Sequence, residues 1–143
     1  MTITLAQARS IIDAALAHAR AQDAQPLAII ILDAGAHPIA FAREDGASLF
    51  RFDIARAKAS GALGMGADTR TIATRAASNP AFFQSVVAVT GGQLALSPGG
   101  VIIRDLEGRM IGAAGTSGDT GDMDEACAIA GITAAGLTYG AQS

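Results

Sequence analysis

Lys58 is the only lysine in a chain of 143 residues, and it stands between Ala57 and Ala59 in the apolar stretch "IARAKASGALG". An ammonium in such surroundings either snorkels to water or meets an anionic partner, for which a ligand carboxylate is one candidate. If burial brings its pKa toward neutrality, it can also move a proton.

A second concentration of chemistry is "GTSGDTGDMDEACAIAG", residues 115–131, with four glycines and four acids. Gly115, Thr116, Ser117 and Gly118 read as a strand end and a glycine turn before a helix N-terminus, a geometry that attracts a carboxylate or phosphate. Asp122, Asp124 and Glu125 also suit the cap and the dipole of that helix on their own. In an enzyme, Asp124 would transfer a proton, and Ser117 with nearby N–H groups would hold an oxyanion. A phosphate-binding loop would need a lysine after the glycines, and none follows Gly115, Gly118 or Gly121. A nucleophile elbow would need glycine two places after Ser117, where Asp119 stands, and no histidine lies downstream to act as base.

Arg43-Glu44-Asp45-Gly46 closes a hairpin whose turn carries His37, while His18 falls on the polar side of the first helix. Their different surroundings argue against a shared metal, although either imidazole could serve as a lone axial heme ligand. The single cysteine, Cys127, excludes an intrachain disulfide and a cysteine-cluster metal site.

These residues need elements to hold them. Thr4-Leu5-Ala6-Gln7 is a capping box, and Leu5, Ala8, Ile11, Ile12, Ala15, Leu16 and Ala19 continue it as one apolar helical face, ending near Asp23. Leu27–Leu32 reads as a buried strand, and Pro38–Arg43 as its hairpin partner. Ser48 caps a helix running to about Met65, with Phe52, Ala55, Ala59 and Leu63 on its packing face. Two short helices follow, one capped at Asp68 or Thr69 and one opening at Asn79-Pro80. Leu94–Leu96, Val101–Asp105 and Arg109–Ala114 are expected as strands, and the last helix opens at Asp122 with Glu125 in capping-box spacing. Helices at both ends and in the middle, with tight turns between strands, favour an α+β domain spanning residues 1–143, built on a five-stranded antiparallel sheet.

The formal charge is −3, tryptophan is absent and one tyrosine is present, which leaves little to hold phosphate backbones or stack bases. Nucleic acid is therefore not an expected partner. No apolar run reaches the ~18–20 residues of a membrane span, and the start lacks the pattern of a signal peptide, so a soluble cytoplasmic protein is expected. A core poor in aromatics is thin for one small domain, and burial in a homo-oligomer would supplement it.

The stretches "AIIILDAGAHPIAFAREDGA" (28–47), "ARAKA" (55–59) and "GRMIGAAGTSGDTGDMDEACAIAG" (108–131), in this order, resemble the GlcG/HbpS family. That family includes the C-terminal domain of PduO-type corrinoid adenosyltransferases. The most specific elements are Asp33-x-Gly-x-His37, Arg43-x-Asp45-Gly46, Lys58 between alanines, and Gly112-x-x-Gly115-x-Ser117-Gly118 followed by Asp124-Glu125. The resemblance implies a profilin-like fold, a five-stranded antiparallel sheet flanked by helices, and homo-oligomeric assembly, with heme bound by several relatives. Two positions depart from the family's usual pattern: Thr116, often aliphatic, and Gly35-Ala36, commonly Gly-Gly.

The resulting expectation is a small-molecule-binding protein whose ligand carries a carboxylate, with heme allowed as cofactor and no metal site. Arg43 and Lys58 would pair with ligand carboxylates. Asp33, His37, Asp45, Gly115, Thr116, Ser117, Gly118 and Glu125 would complete the pocket. The alternative is a cofactor-independent isomerase, lyase or hydrolase of a small organic acid, using Lys58, Asp124 and Ser117. A structural partner in a larger complex is the third reading.

Overall fold

Thr4 opens the first helix as its spacing predicts: Thr4 Oγ1 accepts from Gln7 N at 3.1 Å, and Gln7 Oε1 accepts from Thr4 N at 3.0 Å. This computed structural model describes residues 2–140. Helix α1 (Leu5–Ala21) turns Ala8, Ile11, Ile12, Ala15 and Ala19 inward. Strands β1 (Ala28–Asp33) and β2 (Pro38–Arg43) form the expected hairpin. Helices α2 (Arg51–Met65), α3 (Thr69–Ser78) and α4 (Pro80–Val89) follow. Strands β3 (Gly100–Arg104) and β4 (Met110–Ser117), helix α5 (Gly121–Ala134) and the two-residue strand β5 (Thr138–Tyr139) complete the order.

The sheet runs β2-β1-β4-β3-β5, with every neighbouring pair antiparallel. This is the α+β, profilin-like architecture. Side chains alternate across a strand, so β1 serves two cores at once. Ile29 and Ile31 pack with α1 and α5, while Ala28, Ile30 and Leu32 pack with Ala55 and Ala59 of α2. Covering both faces explains why β1 reads as an unbroken apolar run rather than an alternating one. A third cluster of Ile72, Ala76, Phe83 and Leu94 holds α3 and α4 beside this sandwich.

Three expectations need correction. Ser48 does not cap α2: the cap position is Phe50, with no side-chain cap bond, and Ser48 Oγ accepts from Arg51 Nε instead. Leu94–Leu96 is not a strand: Leu94 is apolar because it packs on α3 and α4, and the fifth strand is instead Thr138–Tyr139 against Ile103 and Arg104. The last helix opens two residues earlier than Asp122-to-Glu125 spacing suggests. Its cap is Thr120, whose side chain accepts from Met123 N at 3.2 Å, and Glu125 pairs with Arg70 instead.

Candidate functional site

Helix α2 crosses the sheet closely enough that a Cβ on Gly115 would lie 1.9 Å from the Ala55 carbonyl oxygen. Gly115, Thr116 and Ser117 are consequently part of β4, paired with Ile30, Ile29 and Ala28, rather than a free glycine turn. The turn proper begins at Gly118. This close crossing carries Lys58 inward until only 2% of it is exposed. Gly99 forms its roof: at φ +131 its missing Cβ would stand 2.9 Å from Lys58 Nζ.

Inside, Lys58 Nζ donates to Asp124 Oδ2 at 3.0 Å and to the Thr116 carbonyl at 2.9 Å. Asp124 is 1% exposed, and its other oxygen accepts from Asp119 N at 2.9 Å. Asp119 in turn accepts from Gln25 N and Thr120 N, so one chain of bonds ties α2 to the 118–120 turn and to α5. Burial pushes the Lys58 pKa below its usual value against the attraction of Asp124. The same burial pushes the Asp124 carboxyl up against the pull of Lys58. A buried pair of this kind holds a geometry more than it adds net stability. Thr116 Oγ1 is also buried, with no hydrogen-bond partner.

At the surface beside this pair, Arg51 Nη1 donates to Ser117 Oγ at 3.1 Å and Arg51 Nε donates to Ser48 Oγ at 3.2 Å. Ala28 stands opposite both Ser117 and Arg43, so Arg43, Ala28 and Ser117 form one cross-strand row on the α2 face of the sheet. Arg43 is exposed and makes no ion pair among the described residues. Phe41, two places along the same face, packs edge-on against Phe52 with ring centroids 4.8 Å apart and is itself 42% exposed. Leu49 and Phe50, just before α2, are 74% and 67% exposed. Two guanidiniums thus border an open aromatic surface.

The remaining predicted residues lie elsewhere. Asp33 Oδ1 accepts from Gly35 N and His37 N, both at 2.9 Å, and stands 3.2 Å from His37 Nδ1. The backbone bond from His37, outweighing burial, lowers the Asp33 pKa. His37 is 78% exposed by side chain and sits just before β2, whereas Arg43 ends that strand. Six residues at ~3.3 Å each put them about 20 Å apart along the chain. Asp45 is exposed beyond the strand end, and Glu125 is held by Arg70. His18 is half-buried on α1.

The structure therefore gathers Arg43, Ser117 and, beneath them, Lys58, Thr116 and Asp124, and separates Asp33 and His37 from that group. Sequence reasoning passed over Arg51. Its signal was an arginine three places after Ser48, inside the apolar run "LFRF" at a helix start. Among the described residues no cluster of three His, Cys, Asp or Glu could hold a metal ion, and no helix is long and apolar enough to cross a membrane.

As a receptor for heme, this end supplies cations and an apolar surface. It does not supply an imidazole: His37 belongs to the other end of the strand, and His18 is on α1, which packs on the opposite face of the sheet from α2. The residues of one chain suit the carboxylates and the apolar body of such a molecule and do not suit histidine ligation of its iron there.

Comparison with curated proteins gives no match. Among solved structures, the chain superimposes on a PduOC:heme complex with TM-score 0.88 and 22% identity, covering 99% of this chain and 100% of that one. HbpS matches at TM-score 0.79 and 25% identity, over 93% and 89% of the two chains. Klebsiella pneumoniae protein ORFY matches at TM-score 0.86 and 24% identity, over 95% and 92%. Residues 3–133 match the family described as HbpS-like, haem degrading protein HbpS-like, and with nearly the whole chain covered this protein belongs to that family.

Proposed function

We propose that this chain is a cytoplasmic, homo-oligomeric small-molecule-binding protein that takes a carboxylate-bearing, largely apolar ligand of the heme class on the Arg43–Ser117 row. The observation that carries the reading is the Arg51 to Ser117 contact, which fixes a guanidinium beside exposed Phe41 and Phe50 at the end where Arg43 is free. Arg43 and Arg51 pair with ligand carboxylates, and the aromatic surface receives the apolar body. Lys58 acts through the wall: its bonds to Thr116 and Asp124 hold the strand end that presents Ser117. The HbpS-like family and the PduOC:heme complex support the ligand class. The exposed Phe82 and Val89 of α4 support assembly, since a second copy would cover them.

The test is a titration of hemin and of metal-free protoporphyrin IX. A charge-assisted bond is worth ~1.5–3 kcal/mol, so Arg43→Ala or Arg51→Ala should weaken binding of both porphyrins about tenfold or more. The two porphyrins should bind wild type with affinities within about threefold, because the carboxylates rather than the iron are held. Unchanged affinity in both arginine variants overturns the assignment.

A second reading has one observation in its favour. Burial moves the Lys58 and Asp124 pKa values toward each other, as in a proton-transfer pair of a small organic-acid enzyme. Both groups are shut from solvent, so a substrate could reach them only if the 97–100 segment moved. Turnover abolished by Asp124→Asn with porphyrin binding intact would establish it.

A further inference from the structure

A cavity of about 340 Å³ opens on the opposite side of the sheet from β2, between α3 and the exposed edge of β3. Asp68, Thr71 and Arg75 line it at i, i+3 and i+7, one face of α3, while Ile102 and Arg104 of β3 and Gly140 close the other side. Asp68 caps α3 by position but not by its side chain, because Oδ1 accepts from Ile102 N at 2.9 Å, replacing a strand neighbour that β5 is too short to supply. Arg104 is fixed by donating from Nε to the Gly140 carbonyl at 2.7 Å and from Nη1 to Gly108 at 3.1 Å.

What these groups leave unused is informative. Among the described residues, the exposed Arg75 guanidinium and Thr71 hydroxyl have no hydrogen-bond or ion-pair partner, and Arg104 Nη2 and Asp68 Oδ2 make no hydrogen bond, although Arg104 attracts Asp68 through space. Arg75 and Arg104 both line the cavity, and the first turn of α3 adds the positive end of a helix dipole, so an anion is attracted here although Asp68 lines the same space and Glu125 acts on Asp68 from nearby. The free oxygen of Asp68 calls for a donor on the same molecule. The space, about 340 Å³, falls within the ~300–1,000 Å³ range of small-molecule pockets.

We infer that this cavity is a second ligand site, for a small carboxylate carrying a hydroxyl or amine: Arg75 and Arg104 hold the carboxylate, and Asp68 accepts the donor. Burial raises the Asp68 pKa against the bond from Ile102, which suits an acceptor whose charge a ligand donor can stabilise. The site is separate from the proposed Arg43 and Arg51 row, which runs from β2 to Ser117 at the end of β4, whereas Ile102 and Arg104 pair with Ala113 and Met110 toward the other end of β4.

The experiment is calorimetric titration with malate, aspartate and succinate, which share carboxylates and differ in hydroxyl, amine or neither. Saturable binding of malate or aspartate at least about fivefold tighter than succinate is expected. Arg75→Gln, at an exposed and unpaired position, should weaken it about tenfold, and Arg43→Ala should leave it unchanged. Asp68→Asn keeps an oxygen for Ile102 N and should erase the preference over succinate. No saturable binding, equal binding of all three, binding insensitive to Arg75→Gln, or binding lost in Arg43→Ala overturns the proposal.

Discussion

Replacing Lys58 with Met tests whether the buried pair organises the wall of the proposed site. The side chain is 2% exposed, and its loss leaves Asp124, 1% exposed, with its charge opposed only by the N–H of Asp119 and the surrounding turn. Breaking one partner of a buried pair costs about 3–5 kcal/mol, within which the Thr116 carbonyl also loses its donor. Urea unfolding followed by circular dichroism should show that loss near about pH 7 with little change in slope. Adding Asp124→Asn, which keeps an oxygen for Asp119 N, should return about 1–3 kcal/mol, a coupling that separated sites do not show.

The pH dependence follows from the direction of each shift. Burial already raises the Asp124 carboxyl pKa despite Lys58, and without that cation it rises further. A raised folded value favours the fold below the ordinary carboxyl range and withdraws that support as pH climbs through it. The deficit of Lys58→Met should therefore shrink from about pH 7 to about pH 5. On the alkaline side, the lowered Lys58 pKa means that the unfolded chain binds the extra proton, so wild-type stability gains a contribution as pH rises toward 10.5. The variant lacks that contribution. A deficit below about 1 kcal/mol at neutral pH, or one that grows on acidification, refutes the reasoning.

Two further substitutions or probes follow from the same packing. Gly115→Ala forces a methyl into the Ala55 carbonyl and should cost about 3 kcal/mol, read as a Tm lower by roughly 10 °C; an unchanged Tm would show that α2 does not cross β4 so closely. The Cys127 thiol is fully buried, and burial pushes its pKa up to about 11. A thiol reagent at about pH 8 should label it only at the rate of unfolding, and rapid stoichiometric labelling of the native protein would contradict this.

Local signals were legible where the interaction is local. The Thr4 capping box, the packing face of α2 and the β1–β2 hairpin all depend on residues within a few positions of one another. Leu94–Leu96 misled because apolarity marks burial, not pairing, and Leu94 is buried against α3 and α4. β5 was invisible because two residues carry no periodicity, and Arg104 and Ile103 draw them into the sheet from more than 30 positions away.

The sequence by itself determined the family, the α+β class and the residues worth attention, since helical and strand periods, caps and glycine positions are properties of short segments. Only the tertiary structure decided what those residues do. Asp124 lies 66 positions from Lys58, and nothing nearer in the chain announces that they meet. Their pairing follows from α2 lying against β4 at Gly115, a crossing that also turns a glycine-rich stretch into strand and brings Arg51 to Ser117. The same folding separates His37 from Arg43 by the length of β2, because a strand keeps its ends apart whatever motif they share.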